Sequence, residues 1–116
     1  MGYLKTVNIK SDMPDLASAV ERLDAGIALS VKMKGGAVKV IHGYGSTGAG
    51  GKIRRGVRRH AEELTRAGRI AGYITGENFS IFDEETRKAF AVCPELREDE
   101  DLDRHNNSIT IVILKR

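Results

Sequence analysis

The sequence predicts an α/β (α+β) chain, a two-layer sandwich with a four-stranded mixed sheet in the order β-α-β-α-β-(α)-β. Three observations predict it. Short segments rich in β-branched residues alternate with longer segments of helical period. Glycines stand at the joints between them, at Gly35-Gly36, from Gly43 to Gly51, and at Gly68. The run Ile109 to Leu114, ITIVIL, is apolar at nearly every position, the pattern of a strand covered on both faces near the middle of a sheet.

Each element has its own signal. Leu4, Val7 and Ile9 make Tyr3–Ile9 a strand. Ser11, Asp12 and Pro14 mark the start of a helix. In it Leu16, Ala19, Val20, Leu23, Ile27 and Val31 share one face, and Lys34, Gly35 and Gly36 end it. Ala37–His42 is the next strand. A second helix spans about Lys52 to Ala67, with Ile53, Val57, His60 or Ala61, and Leu64 inward and Arg54, Arg55, Arg58, Arg59, Glu62 and Arg66 outward. Gly56 weakens it by ~1 kcal/mol relative to alanine unless a neighbour packs close. Arg69–Thr75 is a third strand. Asp83 caps a short helix to about Ala91, Glu95–Asp103 reads as a solvated acidic loop, and Ser108–Leu114 closes the sheet.

At 116 residues the chain is expected to be one domain, 1–116. No apolar run reaches the ~20 residues of a membrane span, and Met1–Lys10 has no signal-peptide core. Cys93 is alone, so the chain is expected in a reducing, cytoplasmic setting. Net charge is +3, but residues 1–70 hold 13 basic against 6 acidic side chains, and residues 71–116 hold 6 against 10. The basic part contains the glycine-rich stretch, which suits a polyanionic partner such as DNA or RNA.

That stretch, Val38 to Arg59, carries the functional signal: VKVIHGYGSTGAGGKIRRGVRR. An apolar strand leads into Gly43, Gly45, Gly48, Gly50 and Gly51. A helix then opens with Lys52, Arg54, Arg55, Arg58 and Arg59. Helix amides, the positive end of the helix dipole and cationic side chains together suit a phosphate. Gly43-Tyr-Gly45-Ser-Thr-Gly48 matches the dinucleotide pattern G-x-G-x-x-G. A dinucleotide site also wants an acid at the end of the next strand, roughly 20 residues on, to hold a ribose; near that distance stands Gly68, before the next strand has begun, Glu77 comes later, and the chain is too short for two mononucleotide-binding halves. A P-loop fails twice, because Ser46 replaces its first glycine and Ile53 its magnesium-binding hydroxyl.

The stretch resembles the signature of the Smr (small MutS-related) domain. The matching segments are Val40-Ile41-His42-Gly43-Tyr44-Gly45, then Thr47-Gly48-Ala49-Gly50, then Ile53-Arg54, with Leu16–Leu23 similar to the family's first helix. The resemblance covers roughly 5–75 plus the last strand, and leaves 77–107 as a variable, insertion-like segment. It implies a fold similar to the C-terminal domain of a bacterial translation initiation factor, and a bacterial domain that binds DNA or RNA and in some members nicks it. The family's Leu-Asp-Leu-His-Gly motif, whose acid is implicated in cleavage, corresponds here to Val7-Asn8-Ile9-Lys10. An amide is neither a general base nor a carboxylate metal ligand, so the binding half of the pattern is kept and the acidic half is lost.

The expected phosphate-binding residues are His42, Gly43, Tyr44, Gly45, Thr47, Gly48, Gly50, Lys52, Arg54, Arg55, Arg58 and Arg59. If the domain cleaves, His42 with Asp12 are the catalytic candidates, and only that reading calls for a divalent metal. No other cofactor and no structural metal is expected. For several residues two readings stay open. His42 either meets phosphate or acts in acid–base catalysis, or it fixes the loop through a backbone hydrogen bond. Tyr44 either stacks on an unpaired base or covers the edge of the core. The four arginines either contact phosphates or form a solvated face. An adaptor, or a domain for a small phosphorylated ligand, is the remaining alternative.

Overall fold

The computed structural model describes residues 3–10, 15–44 and 48–115. Strands β1 (Leu4–Asn8), β2 (Ala37–Ile41), β3 (Gly72–Thr75) and β4 (Ile109–Ile113) make one sheet in the order β1-β2-β4-β3. β1 and β2 are parallel, with Val7 opposite Val40. β4 runs antiparallel to both neighbours and places Thr110 between Val40 and Thr75. All five β4 residues are buried, as its continuous apolar pattern predicts for a strand paired along both edges.

α1 (Leu16–Lys32) is capped by Asp15, whose carboxylate accepts the Ser18 N–H at 2.8 Å. Ser11, Asp12 and Pro14, expected to mark the start of this helix, lie outside the described residues. Val31, expected inward, is 56% exposed, and Ser30 takes the inner position. α2 (Gly48–Arg66) starts about a turn before Lys52. It crosses α1 where Gly56 meets the Leu16 side chain, at a place a Cβ would occupy. That close approach is the packing reason for a glycine inside a helix. His60 ties the same pair of helices, its Nε2 lying 2.7 Å from Asp24 Oδ1.

Both helices cover one face of the sheet, over a core that includes Leu23, Val38, Val40, Val57, Ala61, Val112 and Leu114. The opposite face is covered by residues 76–107. These form a 3₁₀ turn (Gly76–Asn78), α3 (Glu84–Val92) and a second 3₁₀ turn (Pro94–Glu98). Phe79, Phe90, Cys93 and Leu96 pack there on Ile74, Ile109, Ile111 and Ile113. As expected, Asp83 caps α3, accepting the Thr86 N–H at 2.9 Å. β3 is shorter than the expected Arg69–Thr75, although Ile70 ahead of it is buried.

The reading of Glu95–Asp103 as a solvated loop is corrected. Lys39, in β2, is 4% exposed. Its ammonium lies 2.9 and 3.1 Å from the two Asp99 oxygens and 2.6 Å from Asp101 Oδ2. Burial works against the Lys39 charge, but hydrogen bonds to Asp101 and Asp99 outweigh it and raise its pKa above the ordinary value. Asp101 is likewise penalised by burial, yet its bonds with Lys39 and Asn106 hold its pKa below the usual range. Two acids of the segment are therefore counter-ions for a buried lysine of the sheet.

Candidate nucleic-acid interface

The parallel strands β1, β2 and β3 end on one side of the sheet, and β2 leaves it there through a tightly held joint. Ser108 O accepts both the His42 N–H at 3.1 Å and the Gly43 N–H at 3.0 Å. Gly43 then takes φ +82, a left-handed conformation that suits glycine. The Lys10 side chain, from the end of β1, lies against it.

His42 is 3% exposed. Its Nδ1 is 2.8 Å from Gly43 O, and its Nε2 is 2.8 Å from Thr110 Oγ1. A carbonyl only accepts, so Nδ1 carries the proton and Nε2 accepts from the Thr110 hydroxyl. Thr110 Oγ1 in turn accepts from Arg58 Nε at 3.0 Å. Burial pushes the His42 pKa down to about 4, and the charges of Arg58 and Arg54 add to this against the opposing pulls of Gly43 O and Glu77. At neutral pH the ring is uncharged, with both nitrogens engaged.

Arg58 closes the network. Its guanidinium holds Glu77 through two bonds, 3.1 and 2.7 Å, and donates to Ile109 O at 3.0 Å. Glu77 is penalised by burial, but the Arg58 hydrogen bonds and charge bring its pKa below the ordinary carboxylate value. The expectation that Arg54 and Arg58 lie on the outer face of α2 is corrected. Both turn toward the sheet end, where Tyr44 takes one and Glu77 with Thr110 takes the other. Arg54 sets its guanidinium over the Tyr44 ring, 4.9 Å from the centroid. Its Nε is buried without a hydrogen-bond partner among the described residues.

Lys52, Arg55 and Arg59 are exposed along the outer side of α2. None has an ion-pair partner among the described residues. No acid occurs in α2 before Glu62, so the dipole and side-chain charge at this helix end have one sign. Gly48 and Gly50 belong to the first turn of α2. Gly45, Thr47 and Asp12 lie outside the described residues.

No protein-family model matches the chain, and no curated protein matches it in sequence. Among solved structures it is similar to the crystal structure of the Smr domain of Thermus thermophilus MutS2. The TM-score is 0.54 at 14% identity, over 98% of this chain and 99% of that one. The chain has an Smr-like fold.

Within this Smr-like fold three further residues belong to the site that the motif reading missed. Thr110 joins His42 to Arg58, and its signal was present as the one hydroxyl in an otherwise apolar run. Glu77 reaches the site from the end of β3 with no local pattern to mark it, and Lys10 reaches it from the end of β1, where it closes the Val7–Lys10 segment. Asn8 accepts the Lys10 N–H at 3.0 Å and so shapes the turn beside Gly43. Among the described residues no three His, Cys, Asp or Glu side chains gather as a metal site. No described helix is long and apolar enough to cross a membrane.

Proposed function

We propose that this chain is a nucleic-acid-binding module of Smr-like fold that holds backbone phosphates at the exit of β2 and along the outer side of α2. The observation that carries the reading is the row Lys52, Arg55 and Arg59, exposed and without an ion-pair partner among the described residues, along the acid-free first three turns of a 19-residue helix. Phosphate contacts of this kind bind many sequences alike and give affinity that falls with salt. In this reading His42, Thr110, Arg58 and Glu77 are the frame. They fix the direction in which β2 ends and α2 begins, and the outer cations meet the ligand.

A nicking activity built on His42 and a divalent ion is less well supported. Both His42 nitrogens are engaged and Glu77 is held by Arg58, so these side chains do not form a donor set for a metal. The test is binding of labelled single-stranded and branched DNA and RNA at several salt concentrations, with Mg²⁺ or Mn²⁺ present in parallel samples that are then run on a denaturing gel. The expected result is salt-sensitive binding with intact strands. Replacing both Arg55 and Arg59 by alanine should weaken binding and reduce the slope of log K against log salt by about 1.4 to 1.8. An unchanged slope would refute the phosphate row. Metal-dependent cleavage lost in His42→Ala would establish the nicking reading. Stabilisation by a small phosphorylated compound, with no oligonucleotide bound, would replace both.

A further inference from the structure

Building on the nucleic-acid reading, we infer that Tyr44 is a stacking platform for an unpaired base, so that the preferred ligand is a single-stranded segment rather than closed duplex. The residue is 49% exposed. It is absent from both core clusters, whereas Tyr73 packs against one of them. One side of the Tyr44 ring is occupied by the Arg54 guanidinium at 4.9 Å. Arg54 Nε is buried, so the cation reaches the ring from the helix side, and about half of the Tyr44 surface stays exposed.

The groups on either side of the ring are set by the fold. Gly43, next to it in the chain, is fixed to Ser108 O at 3.0 Å, and Arg54 is anchored in the second turn of α2. A pre-positioned aromatic face loses little freedom on binding. The residues beside Arg54 complete the arrangement, since Lys52 and Arg55 stand exposed on the same turns to take the flanking phosphates. A base inside a closed duplex has both faces covered by its neighbours and offers only its edge. A base in a loop, gap or single strand offers a face, and any of the bases will serve. Phe82 is more exposed, at 84%, but Asp83, Glu84 and Glu85 follow it directly, and those charges repel a polyanion.

The experiment compares the affinities of a labelled oligothymidylate and a closed hairpin duplex of similar phosphate number at one salt concentration, with the single-strand measurement repeated at a second. The proteins are the wild type, Tyr44→Ala, Tyr44→Trp and the Arg55→Ala/Arg59→Ala pair. Tyr44→Ala should weaken single-strand binding about tenfold while changing duplex binding less than twofold, and should leave the salt slope as it was. Tyr44→Trp should keep or improve the single-strand affinity. Equal losses on both ligands, or none on the single strand, would overturn the stacking role. If the arginine pair still weakens binding in that case, the phosphate reading survives without it. If the wild type binds neither ligand, the phosphate reading fails and the stacking role with it.

Discussion

The buried His42 makes stability depend on pH in a way that one substitution should remove. The folded pKa of about 4 lies below an ordinary histidine value of about 6.5. The folded state therefore binds fewer protons than the unfolded chain between these values. Stability from this group is complete above about pH 6.5 and is lost as pH falls through the folded value. At ~1.4 kcal/mol for each tenfold difference in proton affinity, the whole difference is about 3 kcal/mol, of which about 1 is lost by pH 5.5 and about 2 to 3 by pH 4.5. Urea unfolding at pH 7.5, 5.5 and 4.5, for wild type and His42→Asn, reads the effect. Asparagine keeps a donor for Gly43 O but does not titrate. The gap between the two proteins should shrink toward acid by these amounts, because carboxylate contributions are common to both. Nitrogen NMR of the wild-type ring at pH 7 should show a protonated Nδ1 and an unprotonated Nε2. A His42 midpoint near 6.5, or parallel pH profiles for the two proteins, would refute the account of the network.

Lys39→Met should cost about 3 to 5 kcal/mol, because it leaves Asp99 and Asp101 partly buried without their cation. Thermal unfolding would show this as a large fall in Tm, and adding Asp99→Asn and Asp101→Asn should restore most of it. Arg58→Lys keeps the charge but loses the fork that serves Glu77, Thr110 and Ile109 O. It should destabilise the fold by about 2 to 3 kcal/mol, measured by urea unfolding. Gly56→Ala should destabilise by about 1 to 3 kcal/mol despite alanine's better helix propensity, since the new methyl meets Leu16. Combining it with Leu16→Ala should cancel part of the loss, which a double-mutant cycle measures.

The sheet was legible because its signal is local. ITIVIL announces a strand covered on both faces, and Asp83 announces the start of α3. The strand, glycines and basic helix likewise lie within 22 consecutive residues, from Val38 to Arg59. What escaped the sequence was the outcome of long-range pairing. Lys39 looks like any strand lysine until Asp99, 60 positions on, is brought to its ammonium. The arginines of α2 share a charge, yet their helical phase divides them. Arg55 and Arg59 meet water, while Arg54 and Arg58 turn toward a neighbourhood defined by Tyr44, Thr110 and Glu77. No window on α2 alone contains those three partners. The acidic stretch misled for the same reason, because a buried counter-ion and a solvated loop use the same residues.

The position of β4 between β2 and β3 also sets the order in which the chain can acquire its structure. β1 and β2 can pair once β2 has been made, but the strand that joins β2 to β3 is the last to be synthesised. Ile41 and Ile109 are 68 positions apart, which at ribosomal speeds is roughly 3 to 14 s of elongation. Through that interval the edge of β2 that β4 will occupy has no sheet partner. The nascent chain is then an open template for foreign strands. Folding should be slow and all-or-none, with a high proportion of distant contacts in its transition state, and a polypeptide ending before Ile109 should be a target for chaperones rather than a partly working domain.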